Sequence, residues 1–202
     1  MFSLTSFGLF FVPVPMISGI GEVIRAKEFL TTAKKQLKEN GEVFDDDIKV
    51  GCMIETPSAV MIADMLADEV DFFSVGTNDL VQYLLAVDRV NNQIAYLYEP
   101  HHPAVIRSLK VIFDAGKKKN IPVAVCGEIA GDPHFLPLLL GLGVGSISAS
   151  SPLLPELKFF ARRFSMKEAI EFSQKLSLMR RPYEIKEAMN TFHEERVAKI
   201  IA

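Results

Sequence analysis

The feature that most constrains this chain is alternation: short apolar runs of strand length recur between longer stretches with helical periodicity. Residues 10–17 precede a helical pattern over 20–39, residues 48–54 precede 58–67, and residues 72–75 precede 80–86. The order continues with a helix over 104–118, a strand over 123–125, a short helix over 135–140, a strand over 146–149 and a helix over 153–163. Two charged helices fill 166–201. Asn40-Gly41 stops the first helix, Asn120 stops the one that follows Pro103, and Pro57 ends the second strand. Helices between successive strands imply parallel pairing, so the expected class is α/β. Five strands are counted in 202 residues, whereas a closed (β/α)8 barrel takes eight strands and about 250 residues. The sheet is therefore open, or it is part of a barrel.

A hydrophobic share of 49% with 23% charged residues suits a folded soluble domain. The net charge of −3 supplies no basic field, which argues against a nucleic-acid partner. Lys117-Lys118-Lys119 reads as the solvated end of a helix. Two cysteines, Cys52 and Cys126, sit inside apolar runs rather than in a C-x-x-C pair, which favours a reducing, cytoplasmic setting. The apolar start has no Lys or Arg before Arg25, contains Pro13 and Pro15, and lacks a small-residue cleavage site, so residues 1–13 read as an irregular leader. No segment has the uninterrupted apolar length of a membrane span.

In parallel α/β folds, the loops after the strand C-termini carry the site. That rule selects Glu55-Thr56-Pro57-Ser58, Gly76-Thr77-Asn78-Asp79, Cys126-Gly127-Glu128 and Ser150-Ser151-Pro152. Glu55 and Asp79 both follow strands directly. Two carboxylates facing one mouth suit Mg²⁺, which takes oxygen ligands and fills its shell with waters and phosphate; they suit helix capping equally. Arg89, after the next helix, can clamp a carboxylate or phosphate bidentately, or merely meet Asp88 at the surface. Cys126 ends a strand before a glycine, where a thiol can serve as acid, nucleophile or filler. Of His101, His102, His134 and His193, none shares a strand end with Cys126, and His101-His102-Pro103 reads as a polar loop. There is no Gly-Lys-Ser phosphate loop, and Gly141-Leu142-Gly143-Val144-Gly145 follows a helix and reads as a helix stop.

Taken together, Pro15-Met16-Ile17-Ser18, Ile54-Glu55-Thr56-Pro57-Ser58-Ala59, the run Asp71-Phe72-Phe73-Ser74-Val75-Gly76-Thr77-Asn78-Asp79-Leu80, Ala86-Val87-Asp88-Arg89 and Cys126-Gly127-Glu128-Ile129-Ala130-Gly131-Asp132 form a specific pattern. It resembles the C-terminal, phosphoenolpyruvate-binding domain of enzyme I, the phosphoenolpyruvate–protein phosphotransferase of the bacterial sugar phosphotransferase system. The resemblance covers residues 14–202. It implies about the last five strands of a (β/α)8 barrel followed by C-terminal helices. It also implies Mg²⁺ held by Glu55 and Asp79, substrate contacts from Asn78, Asp79 and Arg89, and Cys126 as the acid that protonates the enolate. The implied partners are phosphoenolpyruvate, a phosphocarrier protein reached through a domain absent here, and a second copy of the chain as a homodimer. The family's phosphate-accepting histidine with its Thr-Ser-His context is missing, as are the first barrel strands and their arginines. The expectation is thus a C-terminal portion of such an enzyme. Two alternatives stand beside it: a non-catalytic interaction module, and a relative of pyruvate phosphate dikinase or phosphoenolpyruvate synthase.

Overall fold

A computed structural model describes residues 11–197. The leader expected over 1–13 lies outside the described residues as far as residue 10; Phe11–Val14 form the first strand, β1. Helix α1 (Ile20–Glu39) leads to β2 (Lys49–Ile54), and β3 (Phe72–Gly76) runs directly into α4 (Thr77–Leu85). After a long loop come α5 (Pro103–Lys119) and β4 (Val123–Cys126), then α6 (Glu128–Gly131), α7 (Leu136–Leu142) and β5 (Ser146–Ile147). The described residues finish with α8 (Leu154–Ala161), α9 (Met166–Leu178) and α10 (Pro182–Val197).

The single helix expected over 58–67 is in fact two, α2 (Pro57–Met61) and α3 (Ala63–Leu66), divided at Ile62, whose φ of −113° and ψ of 21° leave the helical region. A β-branched residue loses side-chain freedom in a helix, which makes it a cheap place to break one.

All strand pairs are parallel and the spatial order is β1-β2-β3-β4-β5. Each strand thus lies beside its predecessor, as in the wall of a barrel, but the five strands among the described residues do not close one. Register divides the sheet into two faces. Cys52 pairs with Phe73 and Ile54 with Val75; Phe73 pairs with Val123, Val75 with Val125, and Val125 with Ile147. All seven join the apolar core under the helices. The opposite face carries Gly51, Met53, Ser74, Gly76, Ala124 and Cys126, small or polar for the most part. The functional side chains stand at the upper rim of that second face.

The helices are held by their ends and by one face each. In α5, Val105, Ile106, Leu109, Ile112 and Phe113 form the buried stripe. His102 caps its start by accepting the Ala104 N–H at 3.1 Å, Asn120 ends it at φ 56°, and the three lysines occupy its last turn. Gly141 lets α7 press on α9, since a Cβ there would run into the main chain at Ala169.

Candidate functional site

Three strand ends converge. At the end of β2, Glu55 is only 3% exposed. Its Oε1 accepts the main-chain N–H of Met16, beyond β1, at 2.7 Å. Thr56 strengthens this junction: its hydroxyl donates to the Ile17 carbonyl at 2.7 Å and accepts the Ala59 N–H at 3.2 Å, capping α2. Burial raises the Glu55 carboxyl above the usual range, the Met16 N–H opposes that, and the charge of Asp79 adds to it.

At the end of β3, Gly-Thr-Asn-Asp is no loop. Gly76 precedes the helix and Thr77, Asn78 and Asp79 are the first turn of α4, whose N–H groups have no partner within the helix. A Cβ on Gly76 would collide with Glu55 Oε2, so the absent side chain is what allows the carboxylate to lie across β3. The β4 end is stitched to this turn. Gly76 pairs with Cys126 across the sheet, the Thr77 hydroxyl donates to the Cys126 carbonyl at 2.7 Å, and Asn78 Oδ1 accepts the Glu128 N–H at 2.8 Å. Gly127 sits between them at φ 94°, and a Cβ there would strike Thr77 and Asn78.

The Cys126 thiol donates to the Val75 carbonyl at 3.4 Å and has the Ser74 hydroxyl 4.0 Å away. Burial pushes it up; the Ser74 contact opposes this, while Glu55 and Asp79 add to the rise. It is a protonated thiol at neutral pH. Cys52, on the core face, is buried and pushed up to about 12 by burial, so it serves as a small apolar filler.

Arg89 does not meet Asp88, which instead accepts the Val90 N–H at 3.0 Å. Its guanidinium reaches Asp79 at 4.0 Å and Glu128 at 3.9 Å. Ion pairs that long and half-exposed are worth little, so an anion can take the guanidinium over. Glu55, Asn78, Asp79, Arg89 and Cys126 are therefore gathered at one rim. Ser150 and Ser151, the fourth strand-end segment, share no hydrogen bond or ion pair with this cluster among the described residues. The histidines stand apart in other contacts: His101 bonds Glu99 at 2.9 Å, and His134 bonds Asp132 at 2.8 Å and stacks on His193. Sequence reasoning missed Met16, whose contribution is a main-chain N–H, and Tyr98, whose hydroxyl donates to the Asn78 carbonyl at 3.4 Å from the loop before α5; paired glycines at two strand ends were the available signal for close approach.

Among the described residues, no group of three or more His, Cys, Asp or Glu side chains is placed to hold a metal. Two carboxylates that repel one another at the rim do fit Mg²⁺, since that ion takes one or two protein carboxylates and leaves the rest of its shell to waters and phosphate oxygens.

Residues 2–166 match the model of the family described as PEP-utilising enzyme, PEP-binding domain. The chain belongs to this family. Among relatives of this PEP-utilising family, the phosphoenolpyruvate-protein phosphotransferase of Bacillus subtilis is 41% identical over 87% of the chain, and that of Haemophilus influenzae is 44% identical over 82%. The chain spans 31% and 29% of the length of these two curated relatives. A citrate lyase from Burkholderia xenovorans shares the fold, with a TM-score of 0.52 at 15% identity over 94% of this chain and 64% of that one. The PEP-binding domain thus has a barrel-type α/β architecture, and no helix among its described residues is long and apolar enough to cross a membrane.

Proposed function

We propose that this chain is the phosphoenolpyruvate- and Mg²⁺-binding part of a phosphoenolpyruvate–protein phosphotransferase. The observation that carries the reading is the convergence of Glu55, Asp79 and Cys126 through the register of β2, β3 and β4, with Gly76 beside Cys126. Glu55 and Asp79 would hold Mg²⁺, which would supply charge neutralisation for the phosphoryl group. Asn78, at the start of α4, and Arg89 take the phosphate and the carboxylate of the substrate. The bridging P–O bond breaks as the phosphoryl group passes to a histidine nitrogen supplied from outside this chain. The remaining enolate takes a proton on its methylene carbon from the Cys126 thiol, giving pyruvate, and solvent restores the thiol's proton. Burial keeps that thiol protonated, as an acid requires. The same reading brings a phosphocarrier protein as the next acceptor, a homodimer as the working unit and the cytoplasm as its place.

The test is calorimetric titration with phosphoenolpyruvate, with and without Mg²⁺. Mg²⁺-dependent binding is expected, lost in Asp79→Ala and kept in Cys126→Ala. When the chain is complemented with the segment of the Bacillus subtilis relative that lies outside the match, Cys126→Ala should form no pyruvate. Equal loss of binding in the two variants would remove Cys126 from its role as acid, and metal affinity unchanged in Asp79→Ala would remove Asp79 as a ligand.

A further inference from the structure

The loop between α4 and α5 leaves the site and comes back to it. Ala86, left-handed at φ 53°, ends α4 and turns the chain outward. Arg89 then lies over Asp79 and Glu128. The following residues stand in solvent, with Val90 and Tyr96 both 79% exposed. Their own order comes from short-range bonds: Asn91 N–H to the Asp88 carbonyl, Ile94 and Ala95 N–H to the Asn91 carbonyl, and Leu97 N–H to the Ile94 carbonyl. None of these ties the loop to the rest of the protein.

The return is made by Tyr98. Its ring packs on the core and its hydroxyl donates to the main-chain carbonyl of Asn78 at 3.4 Å. That carbonyl belongs to the residue whose side chain already holds the Glu128 N–H. Burial, and after it the charges of Glu128 and Asp79, push the phenol up to about 12 against the opposing charge of Arg89, so it remains a neutral donor. Beyond it, His101 and His102 are fixed on Glu99 and on the start of α5.

We propose that Tyr98 is a positioning residue: its hydroxyl latches the α4–α5 loop to Asn78 and thereby holds Arg89 over the rim of the site. This rests on the phosphoenolpyruvate reading for its purpose, though not for its mechanics. Without the latch, the segment that carries Arg89 keeps the Arg89 N–H bond to Gln82 Oε1 on α4 and, at its far end, the packing of the Tyr98 ring and the stacking of His101 on Phe135, but it loses its hydrogen bond to the first turn of α4. A guanidinium with more freedom loses part of its grip on a bidentate anion.

Tyr98→Phe keeps the ring and removes only the hydroxyl. Hydrogen–deuterium exchange on the ligand-free protein should show faster exchange at the amides of Asn91, Ile94, Ala95 and Leu97 in the variant. The amides of β3 and α5 should be unchanged, and melting should fall within a few degrees of the parent. In titrations with phosphoenolpyruvate and Mg²⁺, affinity should drop roughly three- to tenfold, the worth of one hydrogen bond, while the affinity for Mg²⁺ alone is retained. Unchanged exchange in the loop overturns the latch. Faster exchange throughout α4, α5 and β3 also overturns it, since the hydroxyl would then support the fold at large. If the loop loosens but affinity holds, Tyr98 does not position Arg89. Should the parent protein bind no phosphoenolpyruvate at all, the functional reading falls, and the exchange data still decide the latch.

Discussion

Replacing Gly76 with alanine tests how tightly the site is built around Glu55. The backbone at Gly76 has φ −82°, which any residue tolerates, so the outcome depends on space alone. The new Cβ would overlap Glu55 Oε2 and approach Met53 Sδ to 3.1 Å and Glu55 Cβ to 3.2 Å. Glu55 is buried and tied through Oε1 to the Met16 N–H at 2.7 Å. It can yield only by giving up a charge-assisted hydrogen bond, worth about 1.5–3 kcal/mol, or by letting β3 shift off β2. Overpacking of this kind costs about 1–3 kcal/mol, and the same range is expected here as a lower midpoint in urea at unchanged slope. Mg²⁺-dependent binding should fall along with it, because the displaced carboxylate is the proposed ligand. The reasoning would be refuted by a variant that unfolds within about 0.5 kcal/mol of the parent, the spread usual for neutral surface changes, and binds equally well.

Gly21→Ala is the contrasting case: nothing lies within 4 Å of the added Cβ inside α1, so stability should rise by about 0.5–1 kcal/mol in the same urea assay. At the start of α9, the Ser165 N–H, the Ser165 hydroxyl and Arg196 hold the Glu168 carboxyl down at about 2. A lowered carboxylate stabilises the fold above its unfolded value near 4.3, and that contribution is lost as pH falls toward about 2. Glu168→Ala should therefore flatten an acid-unfolding curve between those limits, followed by circular dichroism, and leave higher pH less stable than the parent.

Much of this was legible because two independent periodicities agreed. In β2, β3 and β4, Cys52, Ile54, Phe73, Val75, Val123 and Val125 all fall at strand spacing on the core face, and α5 repeats its apolar residues at helical spacing. Strand ends could be found from such patterns, and with them Glu55, Asp79 and Cys126. The break at Ile62 is hidden because residues 59–67 are apolar on both sides of it but for Asp64, so no change of face marks the boundary. Arg89 is found as a residue but its partners are not: the sequence leaves an anion and Asp88 both open, whereas the left-handed turn at Ala86 swings it to Asp79 and Glu128. Tyr98 could not be read at all. Its role depends on a loop closing over twenty residues of sequence, which leaves no periodic trace.

The bond from Met16 to Glu55 has a consequence for how the site would look to mutagenesis. Met16 holds a left-handed φ of 54°, and its useful group is an N–H that every residue but proline possesses. An alanine scan would pass over it in silence, while proline and the β-branched residues, which resist a left-handed φ, would not fit. What fixes the buried carboxylate is then the course of the chain leaving β1, a piece of the site recorded in conformation rather than in residue identity.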